Sequence, residues 1–182
     1  MEEMLDDILV TQFKGIRIIA ESSRFDDQRS HFDKVLSTPS GIKFATDYTA
    51  TGSPKQMAEK TKELIAHPLV KRRDDKGNVV DEEEIFKVII SVDDKVEWGK
   101  AYNKYLEEQV GSPTDYLTDR ARECAKISER VVRQIDGLPA ALKLMGKSDE
   151  YVKHIMEHAL PIRHYFATEL AGFKNKKNAP QR

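Results

Sequence analysis

The sequence has few of the residues that mark secreted, disulfide-rich or membrane proteins. Its 182 residues include 1 cysteine, 1 tryptophan, 9 glycines and 7 prolines. A single thiol cannot form an internal disulfide, and no early apolar run follows a basic segment. Neither a disulfide scaffold nor a secretory signal is therefore indicated, and we expect a cytoplasmic protein.

Long apolar stretches and an excess of one charge are also missing. The longest apolar concentration, IFKVIISV at 85–92, contains a lysine and is far shorter than the roughly 20 apolar residues that span a bilayer. The 30 basic residues balance 31 acidic ones, which leaves a net charge of −1. We therefore expect no membrane partner, and no overall field that favours nucleic acid.

What the sequence does contain is a high charge content arranged in helical patterns. Charged residues make up 34% of the chain, against about 25% in average proteins. Apolar residues recur every three or four positions in segments 1–13, 52–68, 112–137 and 148–173. The pattern predicts one mainly α domain of six to eight helices over 1–173, with a short strand or hairpin element in its N-terminal half. An α+β fold is the alternative.

Several shorter segments carry their own predictions. Alternation in GIKFATDYTAT (41–51) predicts a strand, and a hairpin is predicted at 68–80 with its turn at Asp74 to Asn78. The acids of DEEEIFKVIISV (81–92) favour a helix start, although its β-branched residues would also suit a buried strand. Pro139 is expected to open a separate helix and Pro161 to break or kink another. The basic segment 174–182 is predicted to be a disordered tail.

HIMEH, residues 154–158, matches the H-x-x-E-H pattern of certain zinc metalloproteases. His154 and His158 share a helix face and could both reach a metal ion, with Glu157 beside them. A catalytic zinc also needs a third protein ligand, and the downstream candidates His164 and Glu169 lie beyond a proline. We therefore interpret the histidines as border residues of an apolar stripe, and predict no metal and no cofactor. A zinc-dependent hydrolase on His154, Glu157 and His158 is the third functional hypothesis.

Other sequence features indicate no complete catalytic site. Cys124 lies on the apolar stripe of a predicted helix, where a thiol is more often a small buried hydrophobe than a nucleophile. Trp98, Tyr102 and Tyr105 at helical spacing are more often core than a stacking platform. Acidic groups such as FDDQ and DEEE could ligate a divalent cation, but their places at helix starts are explained by capping. A non-enzymatic role is favoured.

A row of basic residues on one predicted helix supports the second hypothesis, a nucleic-acid-binding accessory protein. The row is formed by Arg122, Lys126, Arg130 and Arg133, at spacings of three and four. It could follow several phosphates, joined by VKRR (70–73) and by the tail residues Lys174, Lys176 and Lys177. Interspersed acidic side chains can form ion pairs with these basic side chains, an arrangement that is typical of a solvated helix face.

The two ends of the sequence carry opposite charge. MEEMLDD has four negative charges and FKNKKNAPQR four positive ones. The ends could meet within one fold, or the acidic helix of one copy could bind the basic tail of the next, with Met1, Met4, Leu5 and Leu9 as the apolar part. The favoured hypothesis is therefore a protein-protein interaction or assembly protein that self-associates as a homo-oligomer through its charged termini.

Overall fold

A computed structural model describes residues 2–50, 54–92 and 114–177. Within these ranges the chain forms five helices and one five-stranded mixed sheet. The helices are α1 (Glu2–Gln12), α2 (Arg24–Arg29), α3 (Pro54–Ala66), α4 (Thr114–Leu144) and α5 (Asp149–Lys177). The strands are β1 (Arg17–Glu21), β2 (Lys34–Ser37), β3 (Lys43–Ala50), β4 (Leu69–Val70) and β5 (Ile85–Val92). The prediction of a mainly α domain with six to eight helices was wrong, and the α+β alternative fits.

The sheet has the order β1-β2-β3-β5-β4. Strands β1, β2 and β3 form an antiparallel meander, whereas β5 pairs parallel to β3 and antiparallel to β4. Helix α3 makes the crossover that a parallel pair requires. Pairing of Phe44 with Phe86 sets the register of the two central strands.

Residues 85–92 form the strand β5, so the helix predicted at 81–92 was wrong. Every residue from Ile85 to Val92 is buried. A continuous β-branched run covered on both faces is typical of a central strand, because such side chains pack well on a pleated surface. The acids before it occupy the preceding connection and start no helix. The segment from Phe25 to Leu36, whose apolar residues also recur at helical spacing, forms no single helix and divides into the short α2 and the strand β2.

One face of the sheet carries the main core. Helices α1, α4 and α5 cover this face, and α4 and α5 pack along each other. The helices contribute residues at the predicted helical spacing, among them Leu5, Ile8, Leu9, Phe13, Cys124, Ile127, Val131, Ile135, Ile155, Ala159, Ile162 and Phe166. A smaller cluster of Phe32, Val35, Ala45, Val70 and Ile85 lies apart from it. The apolar stripes of the sequence therefore identify most of the helical core.

The prolines predicted to interrupt helices do not do so. Helix α4 continues through Pro139 and α5 through Pro161. An interior proline costs about 3 kcal/mol, but Leu138 and Ile162 beside these prolines are buried at 2% and 0% exposure. Core packing on both sides of each proline therefore outweighs the lost hydrogen bond. Helix α5 also reaches Lys177, so the first four residues of the predicted tail are helical.

The connection between α3 and β5 contains the predicted turn. The amide of Asp74 donates to the carbonyl of Asn78, and Gly77 has a φ of 86°, a left-handed value that favours glycine. Arg73 and Val79 form a single bridge, while Leu69–Val70 pairs with β5. The aromatic residues predicted at 98–105 lie outside the described residues. No helix in the described ranges is long and apolar enough to cross a bilayer.

Side chains of α4 complete the hydrogen bonding along one edge of β5. Strand β4 pairs only with the first two residues of β5. Farther along, the Gln134 amide donates to the Ile89 carbonyl at 2.7 Å and accepts from the Ile89 amide at 3.0 Å. Arg130 Nη1 donates to the Ser91 carbonyl at 2.7 Å. These bonds satisfy backbone groups that an uncovered edge would leave available for another strand.

Candidate metal centre and adjoining cavity

The fold brings a third metal-ligating side chain to the two histidines of the HIMEH motif. Glu84, His154 and His158 each offer one ligand atom, and the three atoms lie within 4.8 Å of one another. The Glu84 Oε2 atom is 3.0 Å from His154 Nε2. The two imidazole rings meet edge to face with their centroids 5.1 Å apart. Two histidines and one carboxylate form a ligand set found in catalytic zinc sites.

Two elements of the core position these ligands. His154 and His158 lie one turn apart on α5, and their neighbours Ile155 and Ala159 are buried. Glu84 directly precedes the buried residue Ile85, at the start of β5. Because the buried neighbours hold both backbones in the core, the backbone positions of the three residues have a fixed separation. Their side chains remain partly free to turn.

The three ligand atoms could coordinate a tetrahedral zinc ion after small rotations of their side chains. Bonds of about 2.0–2.1 Å to zinc place neighbouring ligand atoms roughly 3.4 Å apart, and the pair Glu84–His154 is already at 3.0 Å. The Glu84 and His154 side chains are 41% and 48% exposed. An ion could therefore reach the ligands from solvent, and a fourth coordination position would face water.

The sequence motif supplied only part of this ligand set. Glu157, which we considered with the histidines, is not in the group, nor are the candidate third ligands His164 and Glu169. Glu169 instead accepts from the Lys14 amide at 3.3 Å. Glu84 precedes His154 by 70 residues. No local spacing rule relates positions so far apart, so only the packing of α5 against β5 reveals the third ligand.

A basic cavity of about 280 Å³ adjoins the metal centre and includes Glu84 in its wall. It is lined by the ends of α2 and α3 and by the chain around β4, through Arg29, Ser30, His67, Leu69, Val70, Lys71, Arg73 and Glu84. Glu84 is the one carboxylate among these lining residues, against two arginines and a lysine. The cavity therefore has the charge expected of a site for anions.

A second cavity, of about 370 Å³, is rich in carboxylates. Asp27, Asp33, Asp47, Glu59 and Glu63 line it together with Lys60. The Lys60 ammonium forms an ion pair with the buried Asp47 carboxylate, and the Tyr48 amide donates to Asp33 Oδ2 at 2.5 Å. The Lys60 ammonium thus already occupies part of this carboxylate cluster, where a bound metal ion would otherwise lie. Of the two sites, the histidine-containing group is therefore the better candidate for a metal ion.

The buried charges around this second cavity have perturbed acidities. Burial raises the pKa of the Asp47 carboxyl, although Lys60 opposes the shift. Burial also lowers the pKa of the Lys87 ammonium, which donates to the Ser30 carbonyl at 3.1 Å. Perturbed groups also occur in structural ion pairs. The contacts of Asp47 and Lys87 link β3 and β5 to α3 and to the end of α2.

The basic row lies on α4, but three of its four members have contacts within the protein. Lys126 pairs with Glu123 at 2.5 Å and Arg133 with Glu129 at 2.7 Å, while Arg130 binds the edge of β5. Arg122 is exposed. The contacts of Arg130 are structural, and a phosphate ligand would compete with the acids for Lys126 and Arg133.

The remaining candidate residues lie at the core and at the C-terminal end of α5. Cys124 is buried with no exposed surface, as its place on the apolar stripe predicted. Lys174 is exposed on α5. Lys176 and Lys177 end the helix, and residues 178–182 lie outside the described ranges.

Comparisons with protein-family models, with curated proteins and with solved structures found no match for this chain. A proposal of function therefore depends on the chemistry of its own residues. The candidate metal centre is the arrangement in which the residue types, their distances and their exposure agree on one kind of ligand.

Proposed function

We propose that this protein binds a zinc ion through Glu84, His154 and His158 and uses it to activate water for hydrolysis. The observation that carries the proposal is the convergence of the three ligand atoms within 4.8 Å. Imidazole nitrogen and carboxylate oxygen are both suitable zinc ligands. The third functional hypothesis of the sequence is therefore retained, with Glu84 in place of Glu157 as the acidic residue at the metal.

The number of protein ligands favours catalysis over a purely structural role. Structural zinc sites have four protein ligands, whereas catalytic sites have three and keep one position for water or substrate. Bound zinc lowers the pKa of its water to about 7 and so supplies hydroxide at neutral pH. The half-exposed His154 and Glu84 side chains support access of a substrate to that position.

Zinc binding can be measured directly by isothermal titration of metal-free protein with Zn²⁺ and by native mass spectrometry. We expect one zinc per chain. Glu84→Gln should weaken binding at least about tenfold, because even supporting residues around metal ligands typically contribute 10- to 100-fold. The double variant His154→Ala with His158→Ala should lose the ion altogether.

Two neighbouring residues provide matched controls. Glu157→Gln and His164→Ala change the same residue types on the same helix, outside the three-ligand group. Both should keep one zinc with the affinity of the unaltered protein. Binding that survives the double histidine variant, or that depends on Glu157 and not on Glu84, would refute the proposed ligand set.

The other hypotheses remain predictions. Nucleic-acid binding through the basic row and a non-enzymatic assembly role are each compatible with a metal centre elsewhere on the surface. The single buried Cys124 supports a cytoplasmic location, since an unpaired thiol persists in reducing compartments.

A further inference from the structure

We propose that the basic cavity beside the metal centre binds the phosphate group of a phosphate monoester. The inference extends the proposed function, because it names the class of substrate that the zinc-bound water would hydrolyse. It rests on a separate set of residues: Arg29, Lys71 and Arg73, together with the lining residues Ser30 and His67.

The cationic residues of the cavity have donor groups available. Within the described residues, the Arg29 side chain has no hydrogen bond or ion pair, and the side chain of Arg73 has one hydrogen bond, from Nη1 to the Gly77 carbonyl at 2.9 Å. Lys71 pairs with Glu82, whose side chain is 82% exposed. Such a surface pair contributes little, so a bound anion can replace it. Arginine side chains are suited to two-point binding of phosphate oxygens.

Charge and size favour a phosphate monoester over other anions. The lining residues carry three full positive charges against the single carboxylate of Glu84, and a bound zinc would add two more. A dianion matches this field better than a carboxylate or a phosphodiester, which each carry one charge. The volume of about 280 Å³ is slightly below that of pockets for drug-sized ligands. It suits a phosphate with a small organic group.

The position of Glu84 places the bound phosphate next to the metal. Because Glu84 both lines the cavity and belongs to the ligand group, an ion bound there would lie at the cavity's edge. Hydroxide from the zinc-bound water would form a new bond to phosphorus as the bond from phosphorus to the ester oxygen breaks. The departing alkoxide takes up the proton that the water released. Water and ester thus yield alcohol and inorganic phosphate, with no further reactant.

The first test measures binding of inorganic phosphate to metal-free protein by isothermal titration. We expect Arg29→Gln and Lys71→Gln to weaken phosphate binding about tenfold each, because each removes a positive charge and a charge-assisted hydrogen bond to the anion. Lys76→Gln is the matched control, since Lys76 is exposed in the nearby turn and does not line the cavity. Equal binding by Arg29→Gln and the control, or no binding to any form, would overturn the inference.

The second test uses zinc-loaded protein and p-nitrophenyl phosphate. Arg29→Gln should raise KM about tenfold while the zinc content stays at one ion per chain. Hydrolysis of bis(p-nitrophenyl) phosphate should be slower, and faster turnover of this diester would refute the monoester assignment. The two proposals fail separately. Zinc binding without phosphate binding contradicts only the cavity's role, and phosphate binding without zinc binding contradicts only the proposed function.

Discussion

At the scale of single residues, the buried Asp47 gives a prediction about pH. Its side chain is 7% exposed and pairs with Lys60, yet burial still raises the pKa of its carboxyl above the ordinary value of 3.8. The folded protein therefore holds a proton on Asp47 at pH values where the unfolded chain has lost it. By linkage, this residue's contribution to stability falls as the pH rises from about 3.8 through the raised pKa.

Asp47→Asn should remove this pH dependence. We expect the free energy of unfolding of the variant, minus that of the unaltered protein, to increase as the pH rises from about 4 to 7. Urea unfolding at several pH values measures both curves. Asp27→Asn is the control, because Asp27 lines the same cavity but is exposed. A difference that stays constant with pH would show that burial does not perturb Asp47.

The sequence around Glu84 also explains why the sequence alone did not identify this residue as the third candidate ligand. Its sequence context, DEEE before an apolar run, has the features of a helix N-terminus, where acids are favoured by the helix dipole. The segment in fact precedes a strand, and three of its acids form ion pairs with lysines: Glu82 with Lys71, and both Asp81 and Glu83 with Lys43. Glu84 pairs instead with His154, because β5 begins beside α5.

At the scale of elements, the contact between α4 and the edge of β5 gives the next prediction. Gln134 binds both backbone groups of Ile89, a residue that is 1% exposed. Gln134→Leu keeps the helix and much of the side-chain volume but leaves a buried donor and a buried acceptor without these bonds. Since each unsatisfied group costs about 1–3 kcal/mol, we expect the two groups together to cost roughly 2–6 kcal/mol.

Chemical denaturation of Gln134→Leu and of Arg133→Gln provides the comparison. Arg133 is the next residue of α4 and its side chain is 77% exposed, so its replacement should change stability by at most about 0.5 kcal/mol. If both variants lose the same small amount, the edge of β5 does not depend on Gln134. A larger loss for Gln134→Leu supports the role of α4 in covering the strand.

Both long helices show how packing decides the extent of an element. The sequence around Gly137 and Pro139 has the usual signals of a helix end. Ile135, Leu138 and Leu142 nevertheless lie on one buried stripe that crosses these signals. Because a helix is stabilised mainly by the apolar face that it buries, the stripe predicts the continuous helix better than the local breakers do.

At the scale of the whole molecule, the fold changes the expected strength of self-association. Leu5 and Leu9, expected to supply the apolar part of a contact between copies, have no exposed surface. Asp6 of the acidic end pairs with Lys34 at 3.2 Å. The contact would then depend on exposed ion pairs, each worth at most about 1 kcal/mol. Any head-to-tail association should therefore be weak and sensitive to salt.

Light scattering at low and at physiological salt measures this association. We expect a small, reversible increase in mean mass at low salt, which disappears when Lys174, Lys176 and Lys177 are replaced by Gln. Lys153→Gln, an exposed position near the other end of α5, should leave the increase unchanged. A dimer that persists at physiological salt in every variant would show that another surface joins the copies.

The sequence by itself determined the elements whose signals are local. The apolar spacing of α3, α4 and α5 and the alternation of β3 identified these segments and most of the residues that they bury. The motif at 154–158 correctly placed two histidines on one helix face, because residues four apart lie one above the other in any α-helix.

Only the tertiary structure decided the features that depend on distant partners. β5 is a strand because β3 and α4 surround it, the helices continue through their prolines because the core packs on both sides, and Glu84 meets His154 because β5 starts beside α5. Local patterns record which face of a segment is apolar. They do not record which other segment will cover it, and the packing of α5 beside β5 is what brings Glu84 to the two histidines.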